Sequence, residues 1–315
     1  MNSANIKKTV VFLLGPTASG KTSLAIDLHN SFPIEIISVD SVMVYKGCDI
    51  GSAKPTKDIL LKHPHHLIDC VDPESIFTVA DFYKKSIELI DKIHQKNKVP
   101  FFVGGSMMYF NSLLSGLDSL PERDEAYRLE LEKIKKNEGI ESLYLTLLKK
   151  DPTYAEKVKS KDIQRIIRAL EVIKVTGKTF TSQTGIIKTN IFSDKFNLHQ
   201  YGIYEEDRTM LHKNIEVRLR AMIDNGLLTE VSDLLSNYKI PLNHPIRKAV
   251  NYKQAISFIN SDCDQKEFYD QSLYATRQLA KRQTTWLRSW KDINLFSLNS
   301  KDKVKDKIKS LISSL

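Results

Sequence analysis

The sequence predicts an α/β fold: a mainly parallel sheet flanked by helices, with an all-helical domain inserted into it. Three observations carry this expectation. Short apolar runs at Thr9–Leu14, Ile34–Val39 and residues 99–103 alternate with segments of helical periodicity. The first run leads directly into a Gly-rich stretch that opens a helical segment, as in phosphate-binding α/β proteins. Between about residues 117 and 189 the alternation stops, and only helical patterns remain, broken at Gly139, Asp151-Pro152 and Gly177. With 315 residues, 41% of them hydrophobic, the chain can bury one large domain carrying a smaller one. Residues 1–116 and 200–315 are therefore read as two parts of one core, and 117–199 as the insertion.

The Gly-rich stretch is Gly15-Pro16-Thr17-Ala18-Ser19-Gly20-Lys21-Thr22, which fits G-x-x-x-x-G-K-[ST]. Glycines let the backbone wrap so that its N–H groups face an anion, helped by the dipole of the helix over residues 23–30. Lys21 would neutralise phosphoryl oxygens and Thr22 would hold Mg²⁺. The pattern alone leaves open whether the bound group is a nucleotide or another diphosphate. The strand Ile34–Val39 ends at Asp40-Ser41, and ligands of open parallel sheets sit beyond the carboxyl ends of strands. Asp40 is thus a candidate for the metal's water shell or for a general base, with a turn or capping role as the plain alternative.

Residues 42–56 form a loop long enough to bind something, and residues 67–71 read as a further strand. The preceding His63, His65 and His66 lack companions at ligand spacing, so structural histidines are expected there and not a metal site. A helix over 79–96 shows its apolar face at Phe82, Ile87, Ile90 and Ile93. The strand at 99–103 then ends in Gly104-Gly105-Ser106, where small residues would let a substrate approach and Ser106 offers a hydroxyl.

In the insertion, Asp162 is expected to cap a helix with Ile163, Ile166, Ile167, Leu170 and Ile173 on its apolar face. Gln164, Arg165 and Arg168 would look elsewhere. A returning strand at 201–204 precedes helices over 207–225, 228–238, 247–260 and 266–291. The last of these carries Arg277, Lys281, Arg282 and Arg288 with Trp286 and Trp290 and, from Leu273 to Trp290, no acidic residue. That stripe suits a phosphate backbone, and its aromatics suit a core equally well. Residues 299–315 read as a marginal last helix.

Charge points the same way: 47 Lys and Arg against 38 Asp and Glu give a net +9, which favours a polyanionic partner. Cys48, Cys70 and Cys263 form neither a disulfide framework nor a zinc motif, as expected of a cytoplasmic protein. No apolar stretch approaches the ~18 residues needed to span a bilayer.

Together these segments resemble the tRNA dimethylallyltransferases, also called tRNA isopentenyltransferases, in their short bacterial form. The motifs carrying the resemblance are the Gly15 to Thr22 loop, Ser38-Val39-Asp40-Ser41, Tyr45-Lys46-Gly47, and Asp49-Ile50-Gly51-Ser52-Ala53-Lys54-Pro55. Further along come Pro64-His65-His66-Leu67-Ile68-Asp69, Val103-Gly104-Gly105-Ser106, Gln164-Arg165, Arg168-Ala169-Leu170-Glu171, the run from Ala275 to Gln283, and Thr285-Trp286-Leu287-Arg288. The resemblance implies transfer of the dimethylallyl group of dimethylallyl diphosphate to N6 of the adenosine just 3′ of the anticodon. It places the diphosphate on Gly15 to Thr22 and on Arg218, and it makes Asp40 the base. Ser106 matches a position contacting the amine or the diphosphate. The tRNA would meet Asp40, Ser41, Val42 and Met43, together with Arg128, Gln164, Arg165, Ile166, Ile167 and Arg168. Arg247, Lys248 and Tyr252 match further tRNA-contacting positions, and Arg277 and Lys281 would follow the stem's phosphates. Mg²⁺ is the implied cofactor and a monomer the expected state. One departure is Asn251, where the family usually has Gly. Asn tolerates positive φ, so the turn can survive.

Overall fold

The computed structural model describes residues 8–118, 120–184, 191–204 and 207–315. Within the expected helical insertion, residues 119 and 185–190 lie outside the described residues. The chain divides into two compact units, one made of residues 1–114 and 192–315 and the other of 115–191.

The larger unit is built on six strands: β1 Thr9–Leu14, β2 Ile34–Val39, β3 His65–His66, β4 Val99–Gly104, β5 Asn197–Ile203 and β6 Asn294–Phe296. Their order is β3-β2-β4-β1-β5-β6, and every pairing is parallel. β1 and β2 are buried along their whole length because helices cover both faces, which explains their unbroken apolar runs. Alternate residues feed opposite cores. Val10, Phe12 and Leu14 join one cluster, whereas Val11 and Leu13 join the other.

The register positions the site. Leu14 of β1 and Val39 of β2 both lie level with Gly104 of β4. Gly15, Asp40 and Gly105 therefore emerge together at the carboxyl edge of the three central strands. A Cβ at Gly104 would collide with the Val39 carbonyl, so only glycine allows the strands to finish this closely.

Several elements differ from the sequence expectation. The expected strand at 67–71 is interrupted: Leu67 and Asp69 have φ of 61° and 50°, which ends β3 at His66 and leaves only a bridge between Tyr45 and Val71. The helix expected over 247–260 is two, Pro245–Lys248 and Tyr252–Ile259, because Asn251 between them takes φ 73°, ψ −45°. β5 begins earlier than expected, at Asn197, and β6 was not expected at all. The terminal helix, Lys301–Ser313, buries Val304, Ile308 and Ile312 in the second core and is thus an integral element.

Among its described residues the smaller unit forms helices and no strand, around its own core of Leu131, Leu143, Leu147, Ala155, Ile166, Ile167 and Leu170 with neighbouring residues. Asp162 accepts from the Arg165 amide at 3.3 Å and opens the Ile163–Thr176 helix. Gly177, in the left-handed region at φ 68°, closes it.

Candidate active site

A cavity of about 860 Å³ opens beyond the carboxyl ends of β1, β2 and β4, entirely within the larger unit. Its floor is the loop from Thr17 to Thr22, which the strand Thr9–Leu14 delivers to the start of the Lys21–His29 helix. Gly20 takes φ 79° to make that turn. Gly15 and Pro16 are buried beneath it and do not line the cavity. Lys21 is itself buried, and its ammonium donates to the Pro16 carbonyl at 2.6 Å and the Ser19 hydroxyl at 3.2 Å. It is thereby curled over its own loop, as a lysine that closes an anion nest would be.

Arg218 projects into the cavity from the helix Arg208–Asp224. Its guanidinium donates to the Thr17 hydroxyl. Burial pushes its pKa down, and the charge of Asp40 opposes that shift. Among the described residues it makes no ion pair.

Asp40 follows β2 and faces the same space. Its Oδ1 accepts from the amides of Val42 at 2.8 Å and Met43 at 3.1 Å, an Asx turn that fixes the carboxylate and starts the next loop. Among the described residues, Oδ2 has no hydrogen-bond partner. Val42 and Met43 line the cavity beside it, while Ser41 is exposed and outside the lining. The opposite rim is Val103, Gly104 and Gly105; Ser106 stands one residue further, its amide donating to the Val39 carbonyl at 3.2 Å.

The loop at 42–56 is held by two latches. Lys54, with a side chain 2% exposed, pairs with Asp49 at 2.6 Å and Asp69 at 2.5 Å. Glu230 accepts from three successive amides, Asp49 at 3.0 Å, Ile50 at 2.5 Å and Gly51 at 3.0 Å, and from the Tyr252 hydroxyl at 2.7 Å. A Cβ at Gly51 would come within 2.7 Å of the Tyr252 ring, so this packing requires glycine. Asn251 adds a third tie, donating from Nδ2 to the Gly51 carbonyl at 3.1 Å and accepting from Thr276 at 3.3 Å.

Of the residues expected at the tRNA, Tyr252 is fully buried, with its ring against Gly51 and its hydroxyl on Glu230. Ile166 and Ile167 place both side chains in the core of the smaller unit. Gln164 and Arg165 of the same segment are exposed. Arg128 and Arg168 converge on Glu171, which has no exposed surface: Arg128 donates at 2.6 and 3.0 Å, Arg168 donates to Oε2, and the Asp124 amide adds a bond at 2.9 Å. Burial raises the pKa of Glu171, and these hydrogen bonds outweigh it to leave the group below its usual range. Arg247 is half-buried with Nε donating to the Ile240 carbonyl at 2.9 Å, and Lys248 is exposed. Lys281 is exposed, whereas Arg277 is half-buried and 3.7 Å from Glu216.

The histidines serve structure. His66 Nε2 donates to Glu35 at 2.8 Å, and His65 Nδ1 bonds the His63 carbonyl at 2.6 Å. Among the described residues, no group of three His, Cys, Asp or Glu side chains is arranged to hold a metal. Mg²⁺ asks for less, since it keeps several waters and uses one or two carboxylates plus substrate phosphate. The Thr22 hydroxyl and the Asp40 carboxylate both line the cavity, and hard oxygens of this kind, met directly or through its water shell, fit it.

One cavity residue carried no role in the sequence reading. Gln283 sits on the buried stripe Thr276, Ala280, Gln283, Leu287 of the helix Gln265–Arg288, and an amide on such a seam was the available signal. Glu230 gave none, because the amides it caps are about 180 positions away in sequence.

Residues 43–290 match the family model described as IPP transferase. A curated tRNA dimethylallyltransferase of Acinetobacter baumannii is 44% identical over 292 residues, covering 91% of this chain and 92% of that one. Another from Francisella philomiragia is 42% identical, covering 95% and 96%. Among solved structures, the tRNA isopentenylpyrophosphate transferase of Bacillus halodurans superposes with a TM-score of 0.70 at 32% identity, covering 98% of this chain and 97% of that one. A eukaryotic dimethylallyltransferase captured acting on tRNA gives 0.74 at 26% identity, covering 92% of this chain and 74% of its own. No helix among the described residues is long and apolar enough to cross a membrane. At these identities and over this much of its length, the chain belongs to the IPP transferase family, the family of the tRNA dimethylallyltransferases.

Proposed function

We propose that this chain transfers the dimethylallyl group of dimethylallyl diphosphate to N6 of the adenosine at position 37 of tRNAs reading codons that begin with U. The observation that carries the proposal is one cavity holding a phosphate loop, a half-buried arginine and a half-free carboxylate: Lys21, Arg218 and Asp40. The first two suit a diphosphate and the third suits an amine that must lose a proton.

In the reaction, the N6 lone pair attacks C1 of the dimethylallyl group while the C1–O bond breaks and the diphosphate leaves with the electron pair. Lys21, Arg218 and the loop amides bind the charge that develops on the departing diphosphate. The adenine amine is a poor nucleophile because its lone pair is delocalised into the ring. Asp40 therefore accepts the N6 proton as the C–N bond forms. Its Oδ1 stays fixed by the Val42 and Met43 amides, which leaves Oδ2 for the transfer. Bound Mg²⁺, held through Thr22, would screen the diphosphate's negative charge. The target base has to leave its stack, and a single-stranded anticodon loop makes that inexpensive. The enzyme is proposed to work as a cytoplasmic monomer.

The test is mass spectrometry of nucleosides from such a tRNA after incubation with the protein, Mg²⁺ and dimethylallyl diphosphate. A prenylated adenosine beside the anticodon is expected. Unmodified adenosine after complete incubation would overturn the assignment.

A further inference from the structure

We infer that Gln283 is a positioning residue that holds the diphosphate loop and the Gly104-Gly105 turn in one fixed arrangement. The inference rests on the function proposed above and extends it to a side chain outside the reacting groups. Gln283 is 8% exposed, and it reaches from the long helix Gln265–Arg288 into the back of the cavity. Its Oε1 accepts from the Thr17 amide at 2.8 Å, and its Nε2 donates to the Gly105 carbonyl at 2.9 Å. One side chain thus ties together two segments 266 and 178 residues distant in sequence.

The chemistry of the two partners specifies the amide. One end must accept from an N–H and the other must donate to a carbonyl, and a primary amide offers both from one planar group. A carboxylate would place two acceptors there and repel the Gly105 carbonyl. The space is equally specific, since a Cβ on Gly105 would collide with Nε2 and would also approach the Gly15 carbonyl at 3.2 Å. Thr17 is consequently gripped twice, its amide by Gln283 and its hydroxyl by Arg218. The Thr17 amide is committed to this bond, so the anion is left to the remaining loop amides and Lys21. Fixing Thr17 fixes the path of the chain toward those amides, and fixing Gly105 fixes the turn that precedes Ser106. Both would otherwise have to be ordered when the donor binds.

Two variants test this. Gln283→Met keeps the volume and removes both hydrogen bonds, while Gln283→Glu keeps the shape and inverts one of them. The first measurement is calorimetric titration with inorganic diphosphate and Mg²⁺, which needs no assumption about the acceptor. Binding is expected to weaken on the order of tenfold for Gln283→Met, as two lost hydrogen bonds imply, and further for Gln283→Glu. The second is steady-state kinetics with each substrate varied. The KM for dimethylallyl diphosphate is expected to rise in parallel, with the KM for tRNA within about twofold and kcat little changed, the pattern of lost uniform binding to one substrate. Diphosphate affinity within twofold of wild type in both variants would overturn the inference. So would a parallel rise of both KM values together with a lower melting temperature, which marks a general packing role. Wild type that binds diphosphate but modifies no tRNA would count against the proposed reaction alone.

Discussion

In the helical unit, Arg128 and Arg168 grip the carboxylate of Glu171, which is wholly buried. In the α/β unit, Arg218 lies half-buried in a cavity wall with a threonine hydroxyl as its bonded partner and Asp40 as a more distant counter-charge. The two arrangements have different costs. A buried carboxylate with two guanidiniums and an amide is satisfied within the protein, and removing one member leaves charge stranded. A partly desolvated guanidinium with no ion pair among the described residues is held above its preferred energy until an anion arrives. The first arrangement stabilises a fold, and the second reserves charge for a ligand. The comparison therefore predicts opposite responses to the same kind of substitution.

The largest effects belong to the cavity. Asp40→Ala is expected to lower the rate of transfer by roughly 10²–10⁴-fold, the usual contribution of a positioned base, with tRNA affinity within a few-fold. Arg218→Gln is expected to cost about 10²–10³-fold in kcat/KM, as for loss of one donor to a developing charge. Its melting temperature should hold or rise, because a partly desolvated charge with no ion pair among the described residues has gone. A marked fall in melting temperature with Arg218→Gln would break the distinction between the two sites.

Glu171→Gln sharpens the other half. Leaving Arg128 and Arg168 without their carboxylate is expected to destabilise the protein by about 3–5 kcal/mol, read by calorimetry as a lower melting temperature. The pH dependence has a definite sign. Because the folded pKa of Glu171 lies below the unfolded one, its contribution is complete above the unfolded value of about 4.3 and is lost as pH falls through the folded value. The gap in melting temperature between wild type and Glu171→Gln should accordingly narrow in acid below about pH 4. Glu35 behaves alike at the sheet edge: burial raises its pKa, but bonds from His66, Lys96 and Lys98 bring it down to about 2.

How much of this was legible beforehand follows from where each partner lies along the chain. β1, β2 and the middle of β4 were readable because strands covered on both faces are continuous apolar runs. The loop from Gly15 to Thr22 and Asp40 were readable because a parallel sheet places its ligands just beyond strand ends. β3 escaped because the positive φ of Leu67 and Asp69 leaves no trace in an apolar pattern. The break at Asn251 did leave a hint, in a residue that tolerates φ 73°. The long-range ties made by Gln283, Glu230 and Arg218 span 178 to 266 positions, and no local periodicity reports such a bond. The pairing of Arg128 and Arg168 with Glu171 was hidden for a related reason: spacing identified two basic residues but not the buried carboxylate between them.

Smaller effects separate exposed charge from committed charge. Lys281 is exposed, so Lys281→Ala should weaken tRNA binding about evenly across sequences and reduce the salt slope of log Kd by about one. Arg128→Met should instead appear as a lower melting temperature, with the salt slope nearly unchanged. A reduced slope at unchanged melting temperature for Arg128→Met would show that its charge is available to phosphate despite Glu171.

The smallest predicted effect concerns Tyr252, which sequence resemblance assigned to tRNA and the structure places beneath Gly51. Tyr252→Phe keeps the ring that supports the loop and removes only the hydroxyl. Glu230 then retains its three amide donors, so its carboxylate is not stranded and the loss should be about 1 kcal/mol of stability, that of one hydrogen bond. Affinity for tRNA, measured by filter binding at fixed salt, should stay within about twofold, since less than half a kcal/mol would then be at stake. The hydroxyl and the RNA make separable claims on the same atom. If it serves the loop, melting temperature moves and affinity does not; if affinity falls tenfold while melting temperature holds, the ring must leave its pocket when RNA binds. That second outcome would also require Gly51 to move, because its backbone rests directly on the ring, and Gly51→Ala would then impair RNA binding more than it impairs folding.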